Sequence, residues 1–286
     1  MVFEEQKPAP GDLVLDHVGH FVPDLAAAGA LLEALGFAPT PISNHEVSGK
    51  PAGTANRCLM LERGYIEILA PTLDTPNAAR VRAHMARYGG IHLCCFGTPD
   101  AEAEHSRLEA HGFAPEAVIR LERKIENGKK LGFDVVHVPP GKMPEGRVQY
   151  CEHLTPELLW TGQALAHSNG VTGLAATYVV ADDPAATAAR WARFAGLLPF
   201  PQENGVSLKT KRGEIFLATR DALSSFIDDV PAAPAIAAIA LEFRDPKRFA
   251  ARCEDAGLKV TRTARGYSMA LPPALGGAWL LGEAGD

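Results

Sequence analysis

Four times along this 286-residue chain an apolar run gives way to an acidic residue, an alanine-rich stretch and then a glycine. The spans are Asp24 to Gly36, Asp100 to Gly112, Asp183 to Gly196 and Asp245 to Gly257. An acidic side chain caps a helix start, and glycine ends a helix in the left-handed conformation. Each span therefore predicts a helix of about three turns, the first over Leu25 to Leu35 and the second over Ala101 to His111. Strand-like runs precede and follow each helix, the closing ones being Tyr65 to Leu69, Arg147 to Leu154, Glu214 to Leu217 and Ala278 to Leu281. Each unit reads as strand, helix, then two or three strands. A βαβββ unit alone leaves one sheet face uncovered, so such units are expected to pair. The Gly-, Ser- and Asn-bearing segment Leu158 to Gly170 reads as the link between two pairs. That gives a domain over residues 11–160 and a second over 171–286.

Composition narrows the function. At 47% hydrophobic the chain can bury a sizeable core. Its net charge of -6 argues against nucleic acid as a partner, because phosphate binding leans on Lys and Arg. The local basic run Arg120 to Lys124, with Lys129 and Lys130, is interrupted by Glu122 and Glu126 and reads as a solvated loop. An odd count of five cysteines without a Cys-x-x-Cys pair suggests reduced thiols. The acidic start, Met1 to Gln6, lacks an apolar stretch, and no run of about twenty apolar residues exists. These features predict a soluble cytoplasmic protein with no membrane partner. That it is a monomer or homodimer acting on a small molecule is an expectation that rests on the site and the resemblance described next.

Comparing the copies singles out four polar positions. Tyr65-Ile66-Glu67-Ile68-Leu69-Ala70-Pro71 and Tyr150-Cys151-Glu152-His153-Leu154-Thr155-Pro156 share Tyr, Glu, Leu and Pro at equal offsets. On the opening strands, Leu15-Asp16-His17-Val18-Gly19 is echoed by Gly90-Ile91-His92-Leu93-Cys94. Strands alternate faces, so His17 is set against His20, and Glu152 against His153. One sidedness nominates His17, Glu67, His92 and Glu152 together, with Tyr65, Tyr150 and Cys94 beside them. Two imidazoles and two carboxylates suit Zn²⁺, Ni²⁺, Co²⁺, Mn²⁺ or Fe²⁺, with water positions left open. Unpaired carboxylates on a buried strand face would be costly, and a metal removes that cost.

With these motifs, together with Gly53-Thr54-Ala55-Asn56-Arg57 and Gly64-Tyr65-Ile66-Glu67-Ile68, the first 160 residues resemble the vicinal oxygen chelate superfamily and its glyoxalase-like proteins. The resemblance implies an α+β fold, with four βαβββ modules paired into two open mixed β-barrels. It also implies a divalent metal held from the first and last strands of a module pair, where His17, Glu67, His92 and Glu152 fall. The third and fourth modules carry Ala175 or Ala176 where His would stand, and Phe216 or Ile215 where Glu would. A metal is therefore expected in the first half alone.

The leading expectation is a metal-dependent lyase or isomerase that stabilises an enediolate of a vicinal-oxygen substrate, with Glu152 or Glu67 as general base. Tyr65, Tyr150, Asn56, Arg57 and His45 are candidate substrate contacts, although strand tyrosines are more often core residues. An Fe²⁺ extradiol-type dioxygenase and a non-enzymatic drug-binding protein are the alternatives.

Overall fold

The structure is a computed structural model that describes residues 6–47, 49–124 and 128–284, and only the backbone of residues 123 and 124. The N-terminal residues 1–5 and Glu126 lie outside the described residues.

The repeated phrase folds as its chemistry dictates. Helices α1 (Leu25–Ala34), α3 (Ala101–Ala110), α5 (Pro184–Ala195) and α7 (Pro246–Asp255) begin after Asp24, Asp100, Asp183 and Asp245. Each of these carboxylates accepts a hydrogen bond from a backbone N–H of its first turn. Gly36, Gly112, Gly196 and Gly257 end the helices with φ between +66° and +82°, a region that costs other residues about 1 kcal/mol or more.

The first module contributes β1 (Val14–Phe21), β2 (Ser43–Val47), β3 (Lys50–Met60) and β4 (Tyr65–Pro71). The second contributes β5 (Gly90–Gly97), β6 (Ile119–Lys124), β7 (Lys130–His137) and β8 (Arg147–His153). They form one eight-stranded sheet in the order β2-β3-β4-β1-β5-β8-β7-β6, so the modules meet through their opening strands. These pair antiparallel, while each closing strand lies parallel to its own opening strand. The basic run expected as a loop is strand β6 instead, with Arg120 paired to Asp134 and Lys130 to Glu122. An edge strand tolerates such charges because its outer side faces water.

Modules three and four repeat the arrangement with β9 (Val171–Val180), β10 (Pro199–Gln202), β11 (Gly205–Lys209), β12 (Glu214–Ala218), β13 (Ala235–Phe243), β14 (Val260–Thr263), β15 (Gly266–Ala270) and β16 (Ala278–Glu283). Their order, β10-β11-β12-β9-β13-β16-β15-β14, matches the first sheet strand for strand. The helices and the strand faces beneath them share one core that crosses both halves, from Leu15, Val18 and Leu32 to Trp191, Phe249 and Trp279.

The concave faces differ. In the second sheet Leu223, Phe226, Ile227 and Val230, on and after α6 (Arg220–Ser224), pack onto Tyr178, Phe216, Ala238 and Leu280 and fill the cup. In the first sheet the segment after β4, α2 (Pro76–Met85), packs Val81 against Phe21 and Leu69. A cavity of about 720 Å³ remains in this cup, a usual size for a small-molecule site.

Candidate active site

Two bulges decide which side chains face the cavity. Leu15 pairs with Phe96 and His17 with Cys95, so Asp16 is an extra residue on β1. Likewise Gly19 pairs with Leu93 and His20 with Ile91, making His92 the extra residue on β5. A bulge re-aims the side chains around it. Counting back equally from the helix caps Asp24 and Asp100 puts Asp16, not His17, opposite His92. The echo of His17 in the sequence is thus displaced by one position, and one position turns a side chain to the other face.

The strand register carries two rows across the cavity wall. One runs Tyr65, His17, Cys95, Gln149; the other runs Glu67, Gly19, Leu93, Arg147. The rows exchange under the approximate twofold relating the modules. Structurally, therefore, His17 answers to Leu93 and Glu67 to Gln149. In the second sheet the same positions hold Ala176 and Phe216, both choices the sequence left open.

His17, Glu67, His45, Asn56 and Tyr65 all line the cavity. His92 does not. Its ring lies 4.1 Å from that of Tyr88 and 5.4 Å from that of Phe21, with Nε2 bonded to the Tyr88 carbonyl at 2.9 Å. Glu152 faces the opposite side of β8 and accepts the Ala101 N–H at 3.0 Å, at the start of α3. The expected set of two His and two Glu is therefore not assembled. Tyr150 is a core residue: its hydroxyl donates to the Phe194 carbonyl at 2.7 Å. Arg57 also points away from the cavity, donating to the Thr40 carbonyl at 2.9 Å and to Glu33 at 3.0 Å.

Beneath His17 lies a buried polar floor. Asp16 Oδ2 lies 2.6 Å from His17 Nδ1, and both Asp16 oxygens lie 3.0 Å from His153 Nε2. Cys151 Sγ is 4.0 Å from the same His153 nitrogen. Gly97 makes room: a Cβ there would come within 3.3 Å of Asp16 Cβ and Oδ1 and within 2.8 Å of Val14 Cγ2. Burial opposes charge on Asp16, yet His153 and His17 outweigh it and hold the carboxyl well below its usual range. Burial likewise disfavours the His153 imidazolium, but Asp16 and Cys151 push its pKa up to about 10. The Cys95 thiol, hydrogen-bonded to Cys151, leads in drawing the latter down to about 6, against burial and with help from His153.

Asp16, His17 and Cys95 each offer a donor atom within 4.8 Å of the others, and so do Asp16, Cys151 and His153. His153 Nδ1 is buried without a hydrogen-bond partner. Imidazole, carboxylate and thiol donors fit a borderline divalent ion such as Zn²⁺. A carboxylate bonded to Nδ1 of a histidine also orients the ring for coordination through its other nitrogen. Strand alternation hid this floor, because Asp16 beside His17 should have faced away and His153 was set behind Glu152. No sequence echo marked Cys95, Gln149 or Arg147 at all.

Higher on the wall, Asn56 Nδ2 donates to Glu67 Oε1 at 2.6 Å, and His45 Nε2 lies 3.9 Å from the same oxygen. Burial raises the Glu67 pKa, but His45, His17, Asn56 and Arg147 together carry it below its ordinary value. Glu67 is thus an ionised carboxylate facing an enclosed space. Tyr65 stacks on His17 with ring centroids 4.3 Å apart, and burial keeps its phenol protonated.

The comparisons agree with this architecture. A glyoxalase-like domain model matches residues 15–195, more than half of the chain. Among curated proteins, none matches the chain in sequence. Among solved structures, a hypothetical protein from Staphylococcus aureus superposes with TM-score 0.64 at 12% identity, over 94% of this chain and 99% of that one. A Mn(II)-bound glyoxalase from Novosphingobium aromaticivorans gives TM-score 0.56 at 11% identity, over 94% and 81%. A mutant 4-hydroxymandelate synthase from Streptomyces coelicolor gives 0.55 at 15%, over 97% and 95%. At such identities the likeness speaks for the fold. With the family model, the paired modules and the open first cup in agreement, the chain belongs to the glyoxalase-like domain family, within the vicinal oxygen chelate superfamily.

Proposed function

We propose that this protein is a lyase or isomerase of the glyoxalase-like type, which takes a proton from the carbon beside a substrate carbonyl. The observation that carries the reading is Glu67, a buried carboxylate held ionised on the wall of a substrate-sized cavity. A general base must be ionised, enclosed and held in one direction. The Asn56 hydrogen bond fixes one Glu67 oxygen and leaves the other for the substrate. Glu152, the other glutamate considered, is engaged at the start of α3.

A divalent metal fits the floor, held by Asp16, His17, Cys95, Cys151 and His153 in some subset, and when bound it supplies Lewis acidity to vicinal oxygens. The chain's own residues do the remainder. His17 and Tyr65 present polar atoms to the substrate oxygens, while Phe21, Leu69, Leu93 and Val135 exclude water around them. The half-buried Arg147 guanidinium lies on the same row as Glu67, and its positive charge helps keep that carboxylate ionised.

The test is a product screen with α-oxo-aldehyde adducts, α-keto acids and catechols. Conversion without oxygen consumption is expected, and Glu67→Gln should slow it by about 10²- to 10⁴-fold, the usual contribution of a general base. Oxygen-dependent ring cleavage of a catechol would favour the dioxygenase alternative, and unchanged turnover in Glu67→Gln would remove Glu67 from the mechanism.

A further inference from the structure

The cavity has two unlike ends. At one, Glu67 has a single oxygen held by Asn56, with His45 3.9 Å from it. At the other stands Arg147, walled in by β7 and α2 with part of its surface open to the cavity. Among the described residues its Nη2 reaches a histidine alone, 3.1 Å from His137 Nε2. Burial and the neighbouring Arg147 and Arg80 charges keep that imidazole neutral. Among the described residues, no carboxylate comes within ion-pairing distance of the Arg147 guanidinium. Arg80 and Arg87 line the same end, close enough that Arg80 and Arg147 repel one another and that Arg87 and Arg147 both disfavour charge on His84. Arg80 has a carboxylate partner, Glu116, at 3.5 Å, and Arg87 is held by the Pro234 carbonyl. Arg147 has neither.

Glu67 and Glu116 favour the Arg147 charge only from beyond contact. An enclosed guanidinium with no carboxylate in contact is costly, and the cost is reduced when an anion completes its fork of donors. Between the two ends the wall is apolar: Phe21, Leu93, Leu121, Phe133 and Val135. We propose that Arg147 is the specificity-determining residue for a carboxylate-bearing substrate, an organic acid with an apolar tail, whose carboxylate docks on Arg147 while its tail lies along that strip. The inference rests on the reading of the cavity as a substrate site and adds the class of substrate. A planar carboxylate matches the guanidinium fork two bonds at a time, and the enclosed volume suits an acid of moderate size better than a large conjugate.

The experiment is calorimetric binding of α-ketocaproate and of its methyl ester to the full chain. The wild type should bind the acid at least tenfold more tightly than the ester. Arg147→Gln should bring the two affinities within about twofold, Arg147→Lys should restore part of the preference, and Arg244→Gln, an exposed change on the far half, should leave it intact. Unfolding curves for each variant identify any that do not fold, and Arg80→Gln, on the exposed side of α2, then serves as the second probe, with a several-fold loss of acid preference. Equal binding of acid and ester by the wild type, no binding of the acid at millimolar concentration, or an unchanged ratio in Arg147→Gln would each overturn the proposal. Glu67→Gln should keep the acid preference, so a failure of the base assignment is read separately from a failure of the carboxylate assignment.

Discussion

At the scale of single residues, one-position displacements decide the site. Glu67 and His17 both stand within apolar strands, but the sequence singled them out through their echoes Glu152 and His92. His92 and Glu152 were misleading because sequence similarity aligned them with His17 and Glu67, while β5 carries its bulge at His92 and β8 pairs Gln149 with Cys95. Bulge positions leave no reliable mark in a lone sequence. The floor donors proposed above make a direct prediction. Purified protein should carry about one divalent ion per chain, lost in Asp16→Asn and in His17→Ala and kept in Glu152→Gln and His92→Ala. Metal analysis of the four variants checks it, and loss in Glu152→Gln with retention in Asp16→Asn would restore the first-expected set.

His20 gives a second prediction at this scale. It is fully buried, with Nδ1 3.3 Å from the Leu275 carbonyl and Nε2 accepting the Trp279 indole N–H at 3.1 Å, so it ties the first sheet to the last strand. Burial lowers its pKa to about 4, against the Leu275 and Gly276 carbonyls that favour the proton. The unfolded chain binds that proton near pH 6.5, and the folded chain resists it. The stabilising contribution is therefore complete above about pH 6.5 and is lost as pH falls toward about 4, by at most about 1.4 kcal/mol per unit. Urea unfolding of wild type and His20→Gln at pH 7 and pH 5 should show the variant less stable at pH 7 and the gap narrowed at pH 5. A gap independent of pH would refute the assignment.

At the scale of elements, the repeated phrase was readable almost in full, because caps and helix-ending glycines are local chemistry. Asp24, Asp100, Asp183 and Asp245 each cap the helix they were expected to cap. Helix α2 and the short α6 were not foreseen, since neither repeats the acidic start and glycine end that marked the others. Removing a cap should act on stability alone where the helix is remote from the cavity. Asp183→Ala, at the start of α5, should lower unfolding free energy by about 1 kcal/mol while leaving ligand affinity in the first cup unchanged. Denaturant unfolding with calorimetric binding tests both halves of that statement.

At the scale of the whole molecule, one architecture appears twice and serves two ends. The second cup is filled by Leu223, Ile227 and Val230 over small and aromatic wall residues, so that half is a packed support. The first keeps a cavity of about 720 Å³ with its charged groups facing inward. The shared core joins them from Leu15 to Trp279, and the bridge between Arg63 and Gly173 adds a backbone contact. Ala176 and Phe216 stand in the second sheet where the first has His17 and Glu67. The filling of the second cup could not be forecast, because it depends on where the segment around α6 folds back. Among the described residues no helix is long and apolar enough to cross a membrane.

The central claim is that proton transfer occurs in the first cup on Glu67. Deuterium incorporation into α-ketocaproate at the carbon beside its carbonyl, followed by NMR in heavy water, tests it most directly. The wild type should incorporate label well above the buffer rate, and Glu67→Gln should reduce that enhancement at least 100-fold, within the range of a lost general base, while still binding the acid. Equal incorporation by wild type and variant, or none above buffer in the wild type, would contradict the account.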